Sequence, residues 1–473
     1  MNRRIIVVGG GIAGLAAAHR LVELDREKSL GLEVKLLEAA PRLGGSIATE
    51  RIGDFLVEAG PDSFITEKPW ALRLCERLGI ASRLISTQAA YQKVYVVHQG
   101  ALKPLPEGFF LLAPTRLWPF LRTPLFSWSG KLRMACELFV RRGRADSDES
   151  LAGFVRRRFG AEALDRVAQP LVGGIYAADP GTLSLAATMP RFLELERRKR
   201  SIIWAMWSEQ WRRSRSRQRG SGARWSLFVT FSGGMQEFVD AIASRLPEGS
   251  VRVDTTVTGL ERNAANGTWT LHTGRGERFE AAAVILAAPA YRSAEILAPL
   301  AADLAEDLKA IPYASTATVS LAYREEDFPR APDSFGFVVP SAESRKIMAC
   351  TLSSMKYAGR APKGHVLLRA FVGGALQPSL FEDDDAKMES NVRHELASLL
   401  GVKAEPLFSR IRRHPRSMPQ YQVGHGERIR RIEGRLAGLS GLALAGSAYH
   451  GVGIADCVHS GEEAAEKILE RLG

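Results

Sequence analysis

The chain has 473 residues, 45% of them hydrophobic and 25% charged, with a mean hydropathy of −0.09. This excludes a disordered or fibrous chain, and the length exceeds one ordinary core, so two or three lobes are expected. No apolar run reaches the ~18–20 residues of a bilayer-crossing helix. Arg3 and Arg4 lead straight into a short strand, not into the apolar stretch of a secretory leader, so the expected address is the cytoplasm or its membrane face. A formal net charge of +12 is compatible with nucleic acid, anionic lipid or a polyanionic substrate and does not choose among them. Cys75, Cys136, Cys350 and Cys457 lie far apart with no C-x-x-C spacing, which predicts reduced core thiols and no metal site.

Residues 5–8 read as a buried strand, followed by Gly9-Gly10-Gly11 and an Ala/Leu-rich helix through about residue 24. Residues 33–37 form a second strand ending at Glu38, and 68–78 have helical periodicity. Residues 91–97 and the Gly100 turn predict a hairpin. From 105 to about 196 the pattern is mostly helical. Residues 191–224 are the most basic stretch, with Trp204, Trp207 and Trp211 interleaved among arginines, which predicts an amphipathic helix and a Ser/Gly/Arg loop near 214–222. A helix at 238–245, a strand at 251–256, a hairpin at 267–279 and a buried strand at 282–287 follow. Strands then alternate with a helix at 386–400, and a last strand at 441–446 precedes a closing helix at 461–472.

Gly9-x-Gly11-x-x-Gly14 sits between a strand and a helix. The first glycine allows the tight turn, the second lets backbone approach a pyrophosphate, and the third lets helix and strand pack closely. The helix start, Ile12 and Ala13 included, offers unpaired N–H groups to phosphate. Glu38 stands where a carboxylate binds ribose hydroxyls. Gly44-Gly45-Ser46 follows Glu38 and Ala39, in the manner of FAD-binding oxidases rather than of NAD domains. Arg42 reads either as a phosphate or adenine contact or as an exposed loop arginine. Near the other end, Gly446-Ser447 breaks a buried strand. Gly451, Val452, Gly453 and Ile454 then precede a helix whose start would aim positive potential at a flavin ring.

With these pieces placed, the chain resembles, essentially end to end, the oxygen-dependent porphyrinogen oxidases of haem biosynthesis, which act on protoporphyrinogen or coproporphyrinogen. The resemblance rests on four segments: Glu58-Ala59-Gly60-Pro61-Asp62-Ser63-Phe64; Gly173-Gly174-Ile175-Tyr176-Ala177-Ala178-Asp179-Pro180; Met418-Pro419-Gln420-Tyr421 with Gly424-His425; and Gly451-Val452-Gly453-Ile454-Ala455-Asp456-Cys457. It implies an α/β fold: a Rossmann-like FAD-binding domain (1–90, 231–290 and 435–473), a mixed-sheet substrate domain (201–230 and 291–434), and a mostly helical insertion (91–200). FAD is the implied cofactor, with Gly60, Pro61, Asp62, Ser63 and Val257 adding to the contacts above. The implied reaction takes six electrons from a porphyrinogen and passes them to dioxygen, releasing hydrogen peroxide, with a slight lean to coproporphyrinogen. Gly173, Ile175 and Tyr176 would line the substrate, and Lys93 or Lys68 would meet its propionates. No catalytic side chain is implied beyond the flavin itself.

Three departures stand out: His414 where a tryptophan is common, Ser46 where a base is common, and Lys93 in place of a propionate-binding arginine, which keeps the charge but loses the fork. Residues 109–121 read either as a membrane-docking face or as a core-facing loop. No nucleic-acid module is legible, and the chain is expected to be a monomer or homodimer. An amine oxidase or carotenoid desaturase with the same cofactor is the alternative.

Overall fold

The computed structural model describes residues 3–472 apart from 107–108, 111–112, 115, 144–147, 209–225 and 264. The chain opens with β1 (Arg4–Val8), α1 (Ile12–Lys28), β2 (Glu33–Leu37) and α2 (Trp70–Arg77), then a hairpin of β3 (Val94–His98) and β4 (Ala101–Pro104). A helical stretch contains α3 (Leu151–Phe159), α4 (Gln169–Tyr176) and α5 (Pro190–Lys199). After β5 (Val251–Arg252) and β6 (Ala283–Leu286) come the long strand β7 (Tyr313–Arg324), the short strands β8 (Gly336–Val338) and β9 (Ala349–Leu352), and β10 (His365–Gly373). The chain closes with α6 (Asp385–Leu400), β11 (Phe408–Pro419), α7 (His425–Leu436), β12 (Leu442–Leu444) and α8 (Ile454–Leu472).

A five-stranded parallel sheet, in the order β5-β2-β1-β6-β12, forms the nucleotide lobe. Its central strands β1 and β6 are buried on both faces, which is why they read as continuous apolar runs. On one face α1 packs against α8, and they approach closely because Gly461 has no side chain: a Cβ there would stand 2.1 Å from the Ala13 carbonyl. That contact holds α8, two turns in from its start, against the first turn of α1.

A seven-stranded sheet, in the order β11-β7-β10-β9-β8-β3-β4, forms the second lobe. One face is covered by α6 through Met388, Val392 and Leu396. The other face meets the nucleotide lobe. There the Thr318 hydroxyl donates to the Ala59 carbonyl at 3.3 Å, and Arg369 reaches the carbonyls of Glu58 and Gly60.

Domain boundaries differ from the sequence-based expectation in three places. The β3–β4 hairpin, expected in the helical insertion, is hydrogen-bonded to β8 as the end of the seven-stranded sheet. Strand Phe228–Phe231, expected in the substrate domain, pairs with Phe64–Ile65 and Leu84–Ser86 and buries Val229 and Phe231 in the nucleotide-lobe core. Helices Ala290–Leu297 and Ala302–Lys309, with Ile429 and Ile432 of α7, pack against β1 and β6 residues of the nucleotide lobe. Short strands and amphipathic helices carry no local mark of which sheet they join, so composition could not have placed them.

Cys75, Cys350 and Cys457 are buried, and desolvation pushes each thiol up to about 12, whereas Cys136 is exposed. Trp211 and the Ser/Gly/Arg loop near 214–222 lie outside the described residues, as do the side chains of Phe109 and Phe110.

Candidate active site

Two glycine turns are stitched together at the start of α1. The Gly9 N–H donates to the Leu37 carbonyl, and the Gly44 N–H donates to the Gly10 carbonyl, each at 2.8 Å. Gly14 can only be glycine, because a Cβ there would lie 1.9 Å from the Gly9 carbonyl oxygen. Gly11 is different: a Cβ there would meet nothing within 4 Å. The space in front of Gly11 is therefore left open by the protein itself. No side chain caps α1, and its first turn carries no acid, so the N–H groups of Ile12, Ala13 and Gly14 face a site suited to an anion.

The Glu38 carboxylate accepts from the backbone N–H of Gly10 and, at 2.7 Å, of Ala40. It ties the glycine turn to the end of β2 and keeps lone pairs for a ribose hydroxyl. Beside it runs a polar groove lined by Ala39, Asp254, Thr255, Thr256 and Glu277, with Val257 buried just beyond at the start of a strand. Arg42 takes a third course: its guanidinium donates to the carbonyls of Leu43, Gly45 and Ile47, so it closes the second glycine turn. Gly60 lies on that turn, with a Cβ position 1.9 Å from the Ser46 carbonyl.

Residues 58–63 are gripped from the second lobe. The Ala59 carbonyl bonds His414 Nε2 at 2.8 Å, in addition to Thr318. His414, buried and with its pKa lowered mainly by desolvation, is thus a neutral donor to backbone rather than an aromatic wall. Asp62 accepts from Lys356 Nζ at 3.0 Å, from Ser63 Oγ at 2.7 Å, and pairs with Arg369 at 3.3 Å. Burial alone would raise its pKa, but the two cations outweigh that and hold it well below the usual carboxylate range.

The same sheet face carries a cross-strand row that periodicity alone did not single out. Thr318 stands opposite Phe371, Phe371 opposite Ala349, Ala349 opposite Val338, and Val338 opposite Val96. Residues directly opposite one another share a face, so this row lies on the Thr318 face, with Val96 and Val338 at its far end packed into the helical-lobe core. Helix α4 lies over its far end, where a Cβ on Gly174 would come within 3.9 Å of Val338. Neither Gly173 nor Gly174 has a positive φ, and neither would clash if given a Cβ, so no protein contact requires glycine inside this helix. Ile175 on α4 leaves 48% of its surface exposed. Ala177 ends the helix in the left-handed region at φ 49°, its carbonyl taken by Ala375 N–H.

At the start of α8 the structure brings together Lys68, Asp456, Tyr176 and Gly453. Lys68 Nζ reaches both Asp456 oxygens, at 2.7 and 2.8 Å. Burial pushes the Tyr176 phenol up to about 12, with the Asp456 charge adding to it. Lys93 is not part of this group: it lies at the sheet end, exposed, bonded to Asp333.

The loop 446–451 before α8 is held by the Met418-Pro419-Gln420-Tyr421 segment. The Tyr421 hydroxyl donates to the Ser447 carbonyl at 2.6 Å and accepts from Gly451 N–H at 2.8 Å. His425 stacks on Tyr421 with ring centroids 4.0 Å apart and bonds the Tyr449 carbonyl, and burial pushes its pKa down to about 4. Gln420 reaches the Tyr176 carbonyl at 3.2 Å. Gln420 thus joins two motifs more than two hundred residues apart, while its neighbour Tyr421 braces the loop. Tyr421→Phe is expected to remove both bonds across the loop, lower kcat about tenfold and change the visible flavin spectrum, as read by steady-state kinetics and absorbance. A wild-type spectrum and kcat would show that the brace is dispensable.

The open ground before Gly11, the acid-free helix start and the Glu38 carboxylate all fit a dinucleotide. When bound, FAD supplies a hydride acceptor that dioxygen can reoxidise. Comparison with known proteins agrees. The profile described as flavin containing amine oxidoreductase matches residues 12–469. The chain is 35% identical to the coproporphyrinogen III oxidase of Bacillus subtilis (strain 168), covering 100% of this chain and 99% of that protein. It is 30% identical to the chloroplastic protoporphyrinogen oxidase of Oryza sativa subsp. japonica, over 99% of this chain and 88% of that one. Among solved structures, one from Exiguobacterium sp. 255-15, provisionally assigned as a protoporphyrinogen oxidase, superposes with a TM-score of 0.86 at 31% identity, covering 99% of both chains. The chain belongs to the flavin containing amine oxidoreductase family and is an FAD-dependent oxidoreductase.

Proposed function

We propose that the protein oxidises a porphyrinogen to the porphyrin with FAD as cofactor and dioxygen as final acceptor, and that coproporphyrinogen III is preferred over protoporphyrinogen IX. The observation that carries this reading is the end-to-end likeness to the coproporphyrinogen III oxidase of Bacillus subtilis. Six electrons leave the macrocycle in three rounds, and each round reduces one dioxygen to hydrogen peroxide. The chain's part is positional. The apolar row of Val338, Ala349 and Phe371 offers a wall to a macrocycle, and α4 closes the far end of that wall at Val338. Of the two candidate propionate partners, Lys68 is the better placed, since it stands at the start of α8 and shares Asp456. Either lysine would have to share or exchange its carboxylate, Asp456 or Asp333, to meet a propionate.

Purified protein given coproporphyrinogen III and protoporphyrinogen IX separately in air should yield porphyrin fluorescence and peroxide, faster with the former. Faster turnover of protoporphyrinogen would reverse the preference. No porphyrin from either, with FAD bound, would move the reading to an amine oxidase.

We further infer peripheral membrane contact through the helical lobe. Among the described residues, Trp118, Trp128, Phe139 and Trp204 are more than half exposed there, and Arg122 and Lys131 stack over the Trp118 and Trp128 rings. Aromatic side chains beside cations suit an anionic lipid surface. The protein should co-float with vesicles containing anionic lipid and stay behind with neutral ones, and Trp128→Ser should weaken that binding several-fold. Equal recovery with both vesicle types would remove the inference.

A further inference from the structure

Arg369 is the one residue of strand β10 that brings a charge to the face turned toward the nucleotide lobe, and its side chain is 5% exposed. Its Nη1 donates to the carbonyls of Glu58, at 3.2 Å, and Gly60. Its Nη2 lies 3.3 Å from Asp62, and the guanidinium sits 4.9 Å from the Phe371 ring centroid. The N–H on Nε is buried and has no partner among the described residues. An arginine so placed is costly to bury, and simple loop anchoring would not need its charge, because Thr318 and His414 already hold the neighbouring carbonyl as neutral donors.

The charges around it do not cancel. Lys356 faces the same Asp62 carboxylate at 3.0 Å, and buried Arg360 stands 3.9 Å from Glu58. Glu58 is itself pushed toward its neutral form, mainly by burial, while accepting from Thr49 and Met235. Three cations, Lys356, Arg360 and Arg369, therefore face two carboxyls, Asp62 and Glu58, so the cations outnumber the acids beside residues 58–63. These residues pack on the Gly44-Gly45-Ser46 turn of the cofactor site through Gly60.

We propose that Arg369 is a positioning residue for the flavin: its guanidinium fixes residues 58–63 against the cofactor from the substrate-facing sheet and supplies the fixed positive charge that favours the reduced, anionic ring. The inference rests on the proposed cofactor site and deepens it. Positive charge held in a water-poor site acts on a developing anion without reorganisation, which is where it is worth most.

The test compares Arg369→Gln, which keeps a donor to the carbonyls and loses the charge, with Arg369→Lys, which keeps the charge and loses the fork. The midpoint potential of the bound flavin is read against a reference dye during slow anaerobic reduction, with FAD occupancy measured alongside. Arg369→Gln should shift the reduction equilibrium toward oxidised flavin by about tenfold, or about 30 mV for a two-electron couple. Arg369→Lys should stay within about threefold of the unsubstituted protein. A wild-type potential in the Gln variant overturns the proposal, as does an equal shift in both variants, which would mark a purely geometric role. If the Gln variant does not fold, the Lys variant decides alone: a shift of about tenfold there also overturns it. The titration uses no porphyrinogen, so failure of the substrate reading would leave its outcome standing.

Discussion

Gly11→Val should give a folded protein without colour. Gly11 has φ −69° and ψ 175°, a conformation open to valine, and a Cβ there meets no atom within 4 Å. The fold therefore has no objection to a side chain, and stability should change by no more than about 1 kcal/mol. The pyrophosphate does object, since the glycine exists to let backbone approach it. Loss of several phosphate contacts at a helix start should weaken FAD binding at least about 100-fold, roughly 2.7 kcal/mol. Gly14→Val is the contrasting control. Its Cβ would stand 1.9 Å from the Gly9 carbonyl oxygen, so α1 could not keep its place and the variant should fail to fold. The measurement is flavin absorbance per protein after gel filtration, with a thermal melt. A yellow Gly11→Val protein at full stoichiometry would move the phosphates elsewhere.

What the sequence could and could not disclose follows from the range of the contacts. Gly9, Gly11, Gly14 and Glu38 form a local unit whose spacing alone states its geometry, and the structure sets them around one turn. The shape of the start of α8 was also legible, although the helix begins at Ile454, earlier than the periodic apolar pattern suggested. Arg42 was ambiguous because a guanidinium next to a glycine turn can bond phosphate or loop carbonyls with equal chemistry, and here it bonds carbonyls. The link between Gln420 and Tyr176, and between Tyr421 and the loop before α8, was out of reach, since no local pattern encodes a contact made across lobes. Arg369 did leave a signal: a lone charge inside the apolar run His-Val-Leu-Leu-Arg-Ala-Phe-Val-Gly of β10, where only a buried partner can justify it.

The helical lobe has its own buried charge, and breaking it carries a large predicted loss of stability. Arg158 of α3 has a side chain at 0% exposure, as does Glu137, while Glu196 of α5 is at 6%. Arg158 Nη1 bonds Glu137 at 3.1 Å, and Nε bonds Glu196 at 2.9 Å. Glu137 also accepts from Ser201 Oγ at 2.6 Å and Ile202 N–H at 2.8 Å, so it caps the helix that follows α5. Arg158→Met would fill the volume but leave Glu137 as an uncompensated buried carboxylate, and Glu196 with Arg157 as its one ion-pair partner among the described residues. Breaking a buried pair from one side costs about 3–5 kcal/mol, whereas exchanging both partners for apolar groups is often near neutral. The second route is closed here, because Glu137 is needed as a cap. The pH dependence has a definite sign. Burial would raise the Glu196 pKa, but hydrogen bonds from Arg157, Gly143 and Arg158 outweigh it and hold it below the ordinary value. Its contribution is therefore present above that ordinary value and lost as pH falls through the lowered one. Arg158→Met should melt earlier and be cut by trypsin within the helical lobe. FAD should stay bound, because the glycine turns and α8 belong to the other lobe, while turnover should fall with the displacement of α4 and its glycines. Melting and proteolysis identical to the unsubstituted protein would mean that the lobe is held by its apolar core alone. Loss of FAD along with stability would mean that the two lobes fold as one unit, with the segment from Met418 to Tyr421 as the joint between them.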